Sequence, residues 1–192
     1  MDGNKKILPD VPYYSQWLDV KDADWQYRSC GVAAFKMAML ALRSPACQLA
    51  GRFNEEGDMS LDDLIKEGLA SGAYKPGVGW VHDGLVALAK EHGFKNSFRK
   101  EWPLEGSPTS FSAGIAGIVS ILEENIPVLA SVKSETGGHI ILLIGYEKER
   151  EIVKGFYYHD PDAKDRESGQ NKFINKEDFL RFWKGRIIVV KK

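Results

Sequence analysis

Cysteine is nearly missing from this chain. There are two in 192 residues, Cys30 and Cys47, too few for the disulfide framework on which small secreted domains rely. A bridge between them is not expected either, because a helix running from Cys30 toward Arg43 would be about 20 Å long at 1.5 Å per residue and would hold Cys47 well away. Both thiols are expected to be free, which leaves the compartment open, since an exported cysteine enzyme also keeps its nucleophile free. Excess charge is missing too: 26 Lys and Arg stand against 27 Asp and Glu, for a net charge of −1. That balance gives no reason to expect nucleic acid or an acidic membrane surface as partner, although Lys191 and Lys192 make a small basic end. No apolar run approaches the ~20 residues of a membrane span, and Met1 to Lys6 is polar rather than signal-like. No glycine-rich phosphate loop, internal repeat or low-complexity tract is present. His82, His92 and His159 have no spacing with Cys47 that makes a metal site, so neither metal nor cofactor is expected.

What is there is ordinary globular material, 43% apolar and 28% charged, long enough to bury a substantial core. Pro9 and Pro12 forbid a helix over Ile7 to Trp17, leaving an extended segment, and Asp19 to Arg28 reads as a polar loop. Helices are expected from Cys30, from Ser60 (whose spacing to Asp63 resembles a capping box), over His82 to His92 with Gly93 closing, and over Ser112 to Asn125. Ser44-Pro45 should end the first of these, Gly77 to Gly79 should turn, and Glu101 to Ser110 should be a loop. Then the chain changes character. Pro127 to Lys133, His139 to Glu147, Ile152 to His159, Gln170 to Ile174 and Arg186 to Val190 are β-rich, with a short helix over Asn175 to Trp183. Helices first and strands later indicate an α+β fold, helices against an antiparallel sheet. The expected organisation is one domain over 1–192, helical to about 125 and β-rich from about 126.

The stretch from Arg28 to Leu40 carries the chemistry. Phe35, Met39 and Leu42, with Ala38 between them, recur at helical spacing, so the helix can bury one face while its first turn stays accessible. Cys30 stands at that first turn, where unpaired amides and the positive end of the helix dipole stabilise a thiolate. A free cysteine is more often a small buried hydrophobe; a base within reach changes that reading. The strands His139 to Glu147 and Ile152 to His159 are joined by Lys148-Glu149-Arg150-Glu151. A four-residue turn there pairs Glu147 with Ile152 and sets His139 opposite Asp160 at the open end, while a one-residue slip would bring His159 there instead. An imidazole held by Asp160 and able to activate Cys30 is the arrangement used to attack an acyl carbon. The developing oxyanion needs donors: the Cys30 amide can be one, and Gln16 or Gln26 the other. Trp17, Trp25, Trp80 and Trp102 are candidates to border the cleft, though core packing is commoner for tryptophan.

Four separated motifs stand in order along the chain. They are Val11-Pro12-Tyr13-Tyr14-Ser15-Gln16-Trp17, Cys30-Gly31 followed by Ala33-Ala34, Gly138-His139 before an apolar strand ending Gly145-Tyr146, and Asp160-Pro161. Together they resemble the papain-like cysteine peptidases related to the double-glycine-leader, bacteriocin-processing peptidases. The resemblance implies that fold, a peptide or protein substrate, and Gln16 as oxyanion donor, Cys30 as nucleophile, His139 as base and Asp160 as its orienter. Two departures stand out. The Gln16 to Cys30 loop is long, which keeps Gln26 open as the donor. No transporter is attached, so the double-glycine leader does not carry over as substrate. Stand-alone relatives of this type are often exported, which implies export with a leader removed. The reading is a thiol hydrolase of peptide or isopeptide bonds, with acyl transfer at the same site, or peptide binding without catalysis, as its rivals.

Overall fold

The structure, a computed structural model, describes residues 3–42, 59–103, 108–135 and 137–192. Cys47, Arg43 and the helix stop expected at Ser44-Pro45 lie outside the described residues. In chain order the elements are β1 (Gly3–Ile7), α1 (Ala23–Gln26), α2 (Cys30–Ala41), α3 (Leu61–Ala70), β2 (Tyr74–Lys75), β3 (Gly79–Trp80), α4 (His82–Glu91), β4 (Phe98–Glu101) and α5 (Pro108–Glu123). They continue with β5 (Val128–Ser134), β6 (Gly137–Glu149), β7 (Ile152–His159), α6 (Arg166–Gly169), β8 (Lys172–Asn175), α7 (Lys176–Phe182) and β9 (Trp183–Val189). Among the described residues seven strands form one antiparallel sheet in the order β4-β9-β5-β6-β7-β8, with β1 added to β6, and helices lie on both faces. This is the expected α+β class. The segregation is less complete than the sequence suggests, since β1 and β4 come from the helical part and reach the sheet by pairing with β6 and β9.

Alternation along β6 divides the core. Ile140, Leu142 and Ile144 enter the cluster built with α2, α3 and α4, whereas Ile141 and Leu143 enter the one built with α5 and α7, as the two-residue period of a strand requires. Helix α2 crosses β6 and is buried all round from Gly31 to Met39 rather than along one face. A helix apolar on every side belongs inside. Even Lys36 is buried there, its ammonium donating to the Met59 carbonyl at 2.7 Å and lying 4.2 Å from the Tyr14 ring centroid. The entry of the chain into this helix is fixed by the preceding loop, where Ser29 Oγ donates to the Trp25 carbonyl at 2.6 Å.

The β6–β7 hairpin differs from the expected register by two residues. Glu149 pairs with Ile152, so the turn is Arg150-Glu151, made possible by Arg150 at φ 55°. Two irregularities follow, one inserting Lys154 in β7 and one inserting Ile144 in β6. They cancel, and Leu142 ends opposite His159. Continued one step, that register sets Ile141, not His139, opposite Asp160. His139 is therefore a diagonal neighbour of Asp160 on the same face, a separation of about 7–8 Å at the backbone that side chains can bridge.

Candidate active site

Cys30 is the first residue of α2, half-buried. Its neighbour Ser29 occupies the N-cap position but makes no capping bond, because its hydroxyl is turned back onto Trp25. The first turn of α2 also contains no acidic side chain. Its amides and the helix dipole are thus not neutralised locally and act on whatever negative charge forms at the sulfur.

His139 opens the apolar run of β6 and lies between two partners. Its Nε2 is 2.8 Å from Asp160 Oδ1, and its ring also interacts with the Cys30 side chain. With Nε2 taken by the carboxylate, Nδ1 is the nitrogen left for the sulfur. Burial acts to lower the imidazole pKa, but the hydrogen bond to Asp160 and the interaction with Cys30, with their negative charges, outweigh it and raise the value to about 10. Burial likewise acts to raise the Asp160 carboxyl, yet the bond to His139, the His139 charge, the Asp162 amide and Lys172 together hold it below its ordinary value. Asp160 Oδ1 also accepts the Asp162 backbone N–H at 3.1 Å, and Lys172 Nζ is 3.4 Å from Oδ2. The dyad is an imidazolium beside a carboxylate across the neutral range.

Gln16 reaches this region because the N-terminal segment is strapped to the loop after β7. Tyr13 OH donates to the Asp160 carbonyl at 2.8 Å, the Gln16 N–H to the Pro161 carbonyl at 2.8 Å and Ser15 Oγ to the Ala163 carbonyl at 2.6 Å. Gln16 Nε2 donates one hydrogen to Asp162 Oδ1 at 2.6 Å, its side chain is buried, and its Oε1 has no partner among the described residues. The carboxylate fixes which end of the amide is the nitrogen, because the flipped amide would set oxygen against oxygen. One N–H of Gln16 stays uncommitted. Gln26, by contrast, gives its amide nitrogen to the Trp17 carbonyl at 3.2 Å and the Val20 carbonyl at 3.0 Å, which pins the long loop. Asp162 was not singled out from sequence. Its place two residues beyond Asp160, in a turn-forming Asp-Pro-Asp, was the available signal.

Cys30 and His139 border a cleft of about 700 Å³ that Tyr27, Arg28, Trp80, His82 and Ser131 also line. Trp80 meets the expectation for a cleft tryptophan: its ring packs on the Gly31 end of α2 and its Nε1 donates to the Arg28 carbonyl at 2.8 Å. Trp25 packs behind it, tilted against its ring and edge-on to Tyr74. Trp17 caps the Asp162 loop, donating to Oδ1 at 2.8 Å, and Trp102 packs on Trp183 in the other core cluster. Among the remaining histidines, His92 pairs with Glu67 at 2.7 Å. His159 is buried between the Val11 carbonyl, 3.2 Å away, and the Asn171 N–H, 3.0 Å away, and so takes no part in the site. His82 is in the cleft wall, 2.7 Å from Ser131 Oγ, held neutral by burial and by Arg186 and Arg99 nearby. The sequence offered it only as a histidine without metal-site spacing and gave it no place in the cleft.

The family model described as Peptidase C39-like matches residues 8–186. A crystal structure described as that of a C39-like peptidase from Bacillus anthracis superposes with a TM-score of 0.57 at 18% identity, covering 98% of each chain. The peptidase domain of Streptococcus ComA, described as a bifunctional ABC transporter involved in a quorum-sensing pathway, superposes with a TM-score of 0.51 at 17% identity, over 86% of this chain and 93% of that one. At such identities the likeness is one of fold. Among curated proteins there is no match. No helix among the described residues is long and apolar enough to cross a membrane.

Proposed function

Because the chain belongs to the Peptidase C39-like family, we propose that it hydrolyses peptide or isopeptide bonds through a thioester on Cys30. The observation that carries the proposal is the His139 imidazole, bonded to Asp160 at 2.8 Å and interacting with the Cys30 side chain in the same cleft. The Cys30 thiolate attacks the carbonyl carbon. The oxyanion receives the Cys30 backbone N–H and the uncommitted N–H of Gln16, a choice supported by the prior commitment of Gln26 to two loop carbonyls. The tetrahedral species collapses as His139 gives its proton to the leaving amine, leaving an acyl-enzyme and a neutral imidazole. That imidazole takes a proton from water, whose oxygen attacks the thioester. The carboxylic acid leaves, and the thiolate–imidazolium pair is restored. Asp160 holds the ring and stabilises its charge without accepting the proton.

A peptide-library digest read by mass spectrometry tests this. Hydrolysed products are expected from the wild-type protein, with loss of turnover in Cys30→Ala and in His139→Ala. Ligated products would replace hydrolysis by acyl transfer, and capture without conversion would leave a binding module.

A further inference from the structure

The charges around the cleft do not balance. Among the described residues six charged side chains line it: Arg28, Asp83, Arg99, Glu101, Lys184 and Arg186. Both acids are already committed, since Arg99 Nε bonds Asp83 at 2.6 Å, Arg99 Nη1 bonds Glu101 at 3.3 Å and Arg186 Nε bonds Glu101 at 2.7 Å. His82 adds no charge, being held neutral, and the His139 charge is met by Asp160 at 2.8 Å. Two cations remain with no carboxylate of the described residues beside them. The Arg28 guanidinium lies 4.2 Å from the Tyr27 ring centroid and 5.3 Å from that of Trp25, and its Nε is buried without a hydrogen-bond partner. The two rings hold the guanidinium at the cleft wall, and its Nη groups are the donors left for an anion in the cleft. Lys184 Nζ donates to the Gly137 carbonyl at 3.2 Å, which uses one of its three hydrogens. It stands where a Cβ on Gly138 would come within 3.0 Å of it, so the bare glycine before His139 lets the ammonium lie along the cleft floor next to the base.

We infer that this cleft is a subsite for an acidic side chain, so that the peptides the protein takes carry Asp or Glu on the side of the scissile bond that lies between Arg28 and Lys184. The inference rests on the peptidase reading for the position of the bond, and on the cleft alone for the charge. A carboxylate there gains charge-assisted hydrogen bonds from a guanidinium held by two aromatic rings and from a partly covered ammonium. A basic side chain at the same position meets two uncompensated cations.

The test is positional profiling with peptide libraries that differ only in Glu, Gln or Lys at each position flanking the bond. Cleavage is measured for the wild type, Arg28→Gln and Lys184→Gln, and binding of the same libraries is measured on Cys30→Ala. Glu over Lys is expected by about tenfold or more at one or two positions on one side of the bond. Each single Gln variant should reduce that ratio severalfold, and the ratio should fall as salt is raised. Cleavage with no acidic preference, or a preference untouched in both variants, overturns the subsite and leaves the peptidase reading standing. An acidic preference in binding to Cys30→Ala, without cleavage by the wild type, supports the subsite and overturns the hydrolase.

Discussion

At the scale of single residues, the site is organised by two carboxylates two positions apart. Asp160 holds the His139 ring and Asp162 holds the Gln16 amide, and the Asp162 backbone N–H is itself bonded to Asp160 Oδ1. A pH dependence follows from the first of these. In an unfolded chain a histidine loses its proton near pH ~6.5, whereas His139 in the folded protein keeps it to about 10. A group raised in this way contributes stability that is full below the unfolded value and is lost as pH rises through the folded one. The wild type should therefore lose stability progressively from about pH 6.5 toward 10. Asp160→Asn removes the carboxylate charge and should lower the His139 value, flattening that loss. It should also move the basic limb of kcat/KM to lower pH, because the imidazolium that protonates the leaving amine is surrendered earlier. Activity should fall less than in His139→Ala, since an asparagine still orients the ring. Denaturation midpoints and kcat/KM measured against pH for both proteins check this, and an unmoved basic limb would mean that Asp160 does not govern the base.

At the scale of elements, the hairpin explains why the His139–Asp160 pair was legible despite a mistaken register. The four-residue turn read from charge is a two-residue turn at Arg150-Glu151, and nothing local in the sequence announces a positive φ at an arginine. The error was an even number of residues, however, and an even shift keeps every side chain on its own face. An odd shift would have exchanged His139 and His159, one in the site and the other buried against Val11 and Asn171. The start of α2 was equally legible, because Cys30 precedes a run of helix formers. What the run did not reveal is why residue 31 is glycine. A Cβ there would come within 2.7 Å of the Trp80 ring. Gly31→Ala is accordingly expected to push Trp80 into the cleft, costing about 1–3 kcal/mol of stability and raising KM more than it lowers kcat. Thermal unfolding and steady-state kinetics of this variant measure both effects. Wild-type values for both would show that the contact is easily relieved.

At the scale of the whole molecule, the sequence carried the fold class and the order of the main helices and strands, because periodicity is a local property. It did not carry the long-range pairings. β1 is the polar stretch GNKKI and β4 has every residue exposed, so neither has the apolar alternation that identifies a strand, yet both complete the sheet. The same holds for the cleft, whose charged wall comes from α4, β4 and β9, distant in sequence and gathered only by folding. The proposal of Gln16 rather than Gln26 as oxyanion donor also rests on folding, since both Gln26 N–H groups bond loop carbonyls whereas Gln16 gives one to Asp162. The central claim is that a peptide acyl group passes through Cys30. Acid quenching during turnover of a cleaved peptide, followed by intact-mass and fragment analysis, tests it most directly. The account predicts an acyl adduct mapped to Cys30, absent together with turnover in Cys30→Ala, and cleavage continuing at the wild-type rate in purified Cys30→Ala would contradict it.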